Sequence, residues 1–224
     1  MKLIVACVYV KGHVNFTAEY VNKLRSMVRR CAPVDHEFVC LTDSADELPY
    51  IDCIKIPTPP PGRFAWWAKL ELFNKAHARL RDCRILYLDL DVLLVDSLDA
   101  IINYSLTAMS IVPDGAPNFV GKDGKKVVKR FNSSVMCWIA GHFDFLYDDW
   151  TPDVADRLWG DQDWIGEKVA YASVMPLEWF PRISQVTSKG KVDRFMEKAK
   201  VILCKRPKNA MAAKQWAWFR KVWC

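Results

Sequence analysis

The sequence predicts an α/β protein: a mainly parallel central sheet with helices on both faces. Three observations carry this. Short apolar runs alternate along the chain with segments of helical periodicity, the pattern of strand–helix–strand units. The run Arg84–Val95 is almost continuously apolar, as a strand covered on both faces must be. Carboxylates stand where apolar runs end, Asp43 after the second and Asp89 with Asp91 at the fourth, and open sheets of this class bind ligands at the carboxyl ends of their strands.

The elements follow in order. Leu3–Val10 reads as strand one. The N-terminal run is too short for a signal peptide and has no small-residue cleavage site after it, so it is expected to be structure. Thr17 can cap a helix running to about Cys31, with Tyr20, Leu24, Met27 and Val28 on one face, and Pro33 ends it. Glu37–Leu41 and Asp52–Ile56 are strands two and three. Pro57 to Gly62 is a stiff extended loop, and Ala65–Leu80 reads as helix, broken near its end by charges. Ile85–Leu88 is strand four. Thr107–Val112 and Ser134–Ile139 are further strands, separated by a Gly/Lys/Pro-rich loop, Pro113–Lys126, long enough for a lid or binding loop. Short helices, a strand at Val201–Cys204 and a helix at about Met211–Trp223 complete the chain. Trp216, Phe219 and Trp223 recur at helical spacing, which reads as a face docked on the core. With Lys214, Arg220 and Lys221 beside them, a membrane-surface helix is the alternative.

Length and composition restrict the function classes. The 224 residues suffice for one domain with a filled core, and 51% hydrophobic with 26% charged content excludes a disordered chain. No window reaches the ~18 uninterrupted apolar residues of a membrane helix. The eight cysteines contain no Cys-x-x-Cys pair and sit largely in apolar runs, so reduced core thiols and a cytoplasmic setting are expected. The net charge of +6 favours an anionic partner, with lysine and arginine concentrated at 122–130 and 198–208. His13, His36, His77 and His142 show no ligand spacing and read as structural.

Asp89 and Asp91 carry the sharpest chemistry. Residues i and i+2 of a strand share a face, and two like charges in an apolar setting need a neutraliser. A divalent cation carrying phosphates supplies one, and carboxylate oxygens suit Mg²⁺ or Mn²⁺.

Other segments join this pair in order: Gly62 to Phe73 with its Lys-Leu-x-x-Phe, Tyr87-Leu-Asp-Leu-Asp91, Phe131-Asn-Ser-Ser-Val-Met136, and Gly160-Asp-Gln-Asp163. Together they resemble glycosyltransferases of the GT-A fold, close to the family 8 type that includes glycogenin and bacterial lipopolysaccharide sugar transferases. The resemblance runs from strand one to about Asn209. It implies a single GT-A domain over 1–224: a nucleotide-binding half at 1–112, an acceptor and sugar half at 113–209, and an aromatic, basic C-terminal helix at 210–224.

The resemblance also implies roles. Asp89 and Asp91 would hold Mn²⁺ or Mg²⁺ against the donor diphosphate, with Asp89 also meeting the donor ribose. Lys69, and Arg63 in the same segment, fall in the donor-binding set. Asn132 and Ser133 match the segment that touches the donor sugar. Asp161, Gln162 and Asp163 would face the sugar hydroxyls and the reacting carbon. Val8, Tyr9 and Asp43 lie where relatives hold the uracil base. Late in the chain Cys204 takes the place of a metal-binding histidine, and Lys205 that of a glycine. A thiolate prefers softer metals, so Cys204 is a weak ligand or is replaced by water. Lys205 and Lys208 would bind the diphosphate.

The expected activity is metal-dependent hexosyl or pentosyl transfer from a nucleotide-diphosphate sugar, with UDP as carrier, to an acceptor hydroxyl with retention. A glycan or lipid-linked saccharide is the first acceptor. Hydroxymethylated DNA is the alternative, as in phage enzymes acting in the host cytoplasm, because the lysine-rich segments would suit a phosphate backbone. A non-catalytic nucleotide-sugar-binding module and a metal-dependent phosphohydrolase are alternatives of another class.

Overall fold

The computed structural model describes residues 1–13, 16–32, 34–59, 65–114, 120, 122–125, 131–187, 195–204 and 217–223. Nine strands are present among these residues: β1 (Lys2–Tyr9), β2 (Glu37–Thr42), β3 (Asp52–Lys55), β4 (Cys83–Leu88), β5 (Val92–Leu94), β6 (Met109–Pro113), β7 (Phe131–Ile139), β8 (Ala172–Val174) and β9 (Val201–Leu203). The α-helices are α1 (Ala18–Cys31), α2 (Asp99–Ile102), α3 (Phe145–Asp148), α4 (Pro152–Arg157), α5 (Asp161–Lys168), α6 (Ile183–Val186) and α7 (Ala217–Val222).

Seven strands form one sheet in the order β3-β2-β1-β4-β7-β6-β8. β3, β2, β1 and β4 are parallel; β7 runs against both β4 and β6, and β8 is parallel to β6. The sheet is therefore mainly parallel, as the alternation of elements predicts. β5 and β9 pair separately as an antiparallel ribbon.

Each face of the sheet is buried by its own core. On β1, Leu3, Val5, Cys7 and Tyr9 face α1, the β5–β9 ribbon and α7. Ile4 and Ala6 face the opposite core, which contains Trp67, Leu70, Phe73, Trp138 and Trp164. Burial on both sides is why β1 and β4 lack polar alternation. α1 offers Tyr20, Val21, Leu24, Met27 and Val28 to the first core, the 3.6-residue stripe expected of it. Phe219 and Trp223 are buried in that same core, so the described part of the C-terminal helix docks on the protein. No helix among the described residues is long and apolar enough to cross a membrane.

Two expectations are corrected. The Arg84–Val95 run is not one strand: it divides into β4 in the main sheet and β5 in the ribbon, with Asp89 to Asp91 on the turn between them. Asp89 N–H donates to the Ser134 carbonyl at 2.9 Å, which fixes the chain as it leaves the sheet. Ala65–Leu80 is not one helix either. Ala65–Phe73 is a 3₁₀ segment and Ala78–Leu80 a separate 3₁₀ turn. In the turn between them Asn74 Oδ1 accepts from the Ala76 N–H, a side-chain-to-backbone bond that competes with helix continuation. Pro33 and, within the 113–126 loop, residues 115–119, 121 and 126 lie outside the described residues.

Candidate functional site

The site forms where β1, β2, β4 and β7 meet the start of α5, and Lys69 is its centre. The 3₁₀ segment places the Lys69 ammonium 2.9 Å from Asp89 Oδ1 and 3.5 Å from Asp161 Oδ2. It donates to Ser133 Oγ at 3.1 Å and lies 5.3 Å from the centroid of the Tyr87 ring. Burial opposes its charge, but Asp161 and Asp89 outweigh burial and raise its pKa above the usual lysine range. Three separate stretches of sequence thus converge on one cation.

Asp89 also accepts from the Tyr87 hydroxyl at 2.5 Å. Residues 87 and 89 are two apart, so strand geometry places them together. Burial, then the charge of Asp89, hold the Tyr87 phenol well above its ordinary range. Asp91 is 8% exposed and forms no ion pair with a described residue. Burial first, and the neighbouring Asp89 charge second, push its carboxyl up to about 7, partly offset by Lys69. Asp161 is 3% exposed, and burial raises its pKa while Lys69 and a hydrogen bond with Ser133 lower it. Asp163 Oδ2 accepts from the Trp159 N–H at 3.2 Å inside the first turn of α5.

Asn132 and Ser133 lie on β7, which begins three residues before the strand start read from sequence, and Asn132 Oδ1 accepts from Ser134 N–H at 2.9 Å. Gln162 is half-buried on α5. Cys204 follows β9 and is fully buried beside Asp91; burial chiefly, and Asp91 next, drive its thiol pKa up. The described cysteines form no disulfide. Arg63, Lys205 and Lys208 lie outside the described residues, as do Lys126, Lys129 and Arg130 of the proposed DNA-facing loop.

The ends of β1 and β2 form a second polar group at the same edge. Asp43 Oδ1 accepts from Lys11 N–H at 3.0 Å, while Tyr9 donates its hydroxyl to Glu47 Oε2 at 2.6 Å. Lys11 Nζ meets Glu47 Oε1 at 2.6 Å. Burial, then the Glu47 bond, raise the Tyr9 phenol. Val8 is half-buried beside them.

Sequence reasoning did not assign His13, Glu47, Trp66 or Gly160 to the site. His13 stands 5.5 Å from Trp66, ring to ring, and burial followed by the Lys69 charge lowers its pKa. Trp66 Nε1 donates to the Trp159 carbonyl at 2.9 Å. Its position just beyond the end of strand one is the sequence signal that points to His13.

The residues present suit a hard divalent cation. Asp89, Asp91 and Asp161 outnumber the one described lysine among them, and buried Asp161 Oδ2 has no hydrogen bond, its ion-pair partner Lys69 standing 3.5 Å away. Oxygen ligands of this kind favour Mg²⁺ or Mn²⁺. Among the described residues no three His, Cys, Asp or Glu side chains are grouped so as to hold a metal ion, so the carboxylate pair would need donor or water oxygens to complete a site.

Neither a family model nor a curated protein matches the sequence. Solved structures do. The galactosyltransferase LgtC, in complex with donor and acceptor sugar analogues, aligns over 97% of this chain and 93% of its own, with a TM-score of 0.59 and 19% identity. The chain has the GT-A fold. An active-site mutant of LgtC aligns over the same shares, 97% and 93%, at TM-score 0.60 and 16% identity. The bifunctional glycosyltransferase WbbM, in its apo form, aligns over 98% of this chain and 51% of its own, at TM-score 0.62 and 11% identity. In GT-A terms, the cluster around Lys69 occupies the carboxyl edge of the parallel strands.

Proposed function

We propose that this protein is a metal-dependent glycosyltransferase that moves a sugar from a nucleotide-diphosphate donor, with UDP as carrier, to the hydroxyl of a glycan or lipid-linked saccharide. The observation that carries the reading is Lys69, which joins the Asp89–Asp91 turn to Asp161 at the start of α5. The likeness to LgtC and WbbM, both glycosyltransferases by name, supports it.

In this reading Asp89 and Asp91 hold Mn²⁺ or Mg²⁺, which when bound offsets the negative charge that builds on the departing diphosphate. The protein supplies the rest. Tyr87 and Lys69 fix the rotamer of Asp89, so the carboxylate is set before the donor arrives. Tyr9 and Asp43, tied down by Glu47 and Lys11, hold the base end of the donor. Arg63, Lys205 and Lys208 bind phosphate oxygens. Asn132 and Ser133 meet the sugar, and Asp161, Gln162 and Asp163 face the anomeric carbon, where a carboxylate or amide oxygen stabilises oxocarbenium character. The acceptor attacks on the face from which the diphosphate departs, and the configuration is retained. Cys204 is a protonated neighbour of Asp91 and adds no charge to the metal site.

Asp91→Asn tests this directly. With Mn²⁺ and a panel of UDP-sugars, followed by mass spectrometry of the products, the wild type makes a glycoside and the variant makes none while keeping its circular dichroism spectrum. Full transfer by the variant would falsify the proposal. Phosphate release without a glycoside would identify a phosphohydrolase instead.

A further inference from the structure

We propose that the cleft between the second half of α1 and the first residues of β2 and β3 is a second ligand site, taking a phosphorylated small molecule with a planar ring, such as a nucleoside phosphate. It encloses about 510 Å³, within the range of small-molecule pockets, roughly 300–1,000 Å³.

The charge of its wall points to an anion. Arg25 and Arg29 both line it, four residues apart on α1 and so on one helix face. Neither pairs with an acid among the described residues, although Arg25 is half-buried. The two acids in the wall are already matched: Glu37 meets Lys2 at 2.8 Å and Arg79 at 3.1 Å, and Asp52 meets Arg79 at 2.8 Å. Two guanidinium groups are therefore left over. His36 lines the same cleft and is held in place by its Nδ1–H, which donates to the Val34 carbonyl at 2.9 Å.

Phosphate suits this arrangement better than carboxylate. Its oxygens can meet two guanidinium forks at once. Tyr50 lines the same cleft at 83% exposure with no ring contact to another described residue, so it offers a platform for a base. Glu37 and Asp52 beside the arginines disfavour an extended polyanion, whose charges would have to run across them.

The cleft is separate from the site around Lys69. It sits at the amino ends of β2 and β3, and β2 spans about 20 Å before it reaches Asp43. The inference does not depend on the proposed activity.

Calorimetric titration of the whole protein with ADP and with pyrophosphate, in EDTA to suppress metal-dependent donor binding, tests it. The wild type binds ADP. The R25Q/R29Q variant binds it about tenfold more weakly or worse, as loss of charge-assisted hydrogen bonds predicts. Tyr50→Ala weakens ADP and leaves pyrophosphate unchanged. Should R25Q/R29Q fail to fold, Arg29→Glu at its exposed position carries the same expectation. Absence of ADP binding up to about 1 mM, the weak end of specific affinities, overturns the proposal, as does equal affinity in Arg29→Glu and wild type. Salt-dependent binding of duplex DNA that Arg29→Glu weakens, without ADP binding, also overturns it in favour of a nucleic-acid surface. Sugar transfer by these variants is expected to match wild type, so either result leaves the transferase reading standing.

Discussion

Gly160 lies against the indole of Trp66: a Cβ at position 160 would come within 3.0 Å of Cδ1 and Nε1 of that ring. The ring cannot retreat freely, because its Nε1 is bonded to the Trp159 carbonyl at 2.9 Å. Gly160 has φ −175°, extended backbone open to any residue, so space alone requires glycine here. The next residue is Asp161. Gly160→Ala is expected to displace the first turn of α5 and lower kcat about 10- to 100-fold, the scale of a 1 Å misplacement, with little change in melting temperature. Steady-state kinetics beside a thermal melt will show whether the loss is one of position.

Lys69→Met should be costly to stability. Its side chain is 11% exposed and bridges Asp89 with Asp161, so its removal strands buried carboxylates. Breaking such a pair costs about 3–5 kcal/mol. Adding Asp161→Asn should recover part of that loss, since the stranded charge goes with it. Urea unfolding of the two single variants and the double variant measures the coupling; strict additivity would mean that the two groups do not interact.

His13 should titrate below its ordinary value of 6.5, because burial and then Lys69 disfavour its charged form. The sign follows from linkage. Its contribution to stability is complete above the unfolded value of 6.5 and is lost as pH falls through the folded value, because the unfolded chain takes up the proton first. The His13 ring resonances, followed by NMR from pH 4 to 8, give the folded value directly. Lys69→Met should move it upward, with burial keeping it below that of a free histidine.

Metal removal should separate Asp91 from Cys204. EDTA is expected to stop transfer and Mn²⁺ to restore it in the wild type. Cys204→Ala should hold Mn²⁺ within about threefold of wild type, because a buried protonated thiol offers a hard cation little. Asp91→Asn should weaken Mn²⁺ by an order of magnitude or more, roughly the scale seen when even outer partners of a metal are lost. Calorimetry with Mn²⁺ distinguishes the two.

Much of the fold is legible in the sequence, and the misses share a cause. β1 was readable as a short, continuous apolar run and α1 by its undiluted 3.6-residue stripe. The end of strand four at Leu88 was readable too, but the separate strand β5 was not, because Leu90 at the turn is itself buried at 3% exposure and continues the apolar run. A turn whose residues stay in the core leaves no composition signal. Ala65–Phe73 packs Trp67, Leu70, Leu72 and Phe73 into one core as a 3₁₀ segment, and apolar periodicity does not separate that from an α-helix over so short a span. At the site, Lys69, Asp89, Ser133 and Asp161 were readable as motifs. His13 was not, and Trp66 and Gly160 lie inside motif segments that give them no role, because those roles come from contacts made across the chain, such as Trp66 with Trp159.

The ribbon next to the metal-facing turn has a consequence for biosynthesis. β5 begins one residue after Asp91, and its partner β9 comes from Val201–Leu203, more than a hundred residues later. A chain still emerging from the ribosome can lay down the four parallel strands early, yet Val92, Leu93 and Leu94 wait without a strand partner until Val201–Leu203 have been made. Over that interval the nascent protein carries an unzipped, greasy edge beside its most important acids. Chaperone dependence, and loss to aggregation when elongation stalls before residue 203, should be concentrated there.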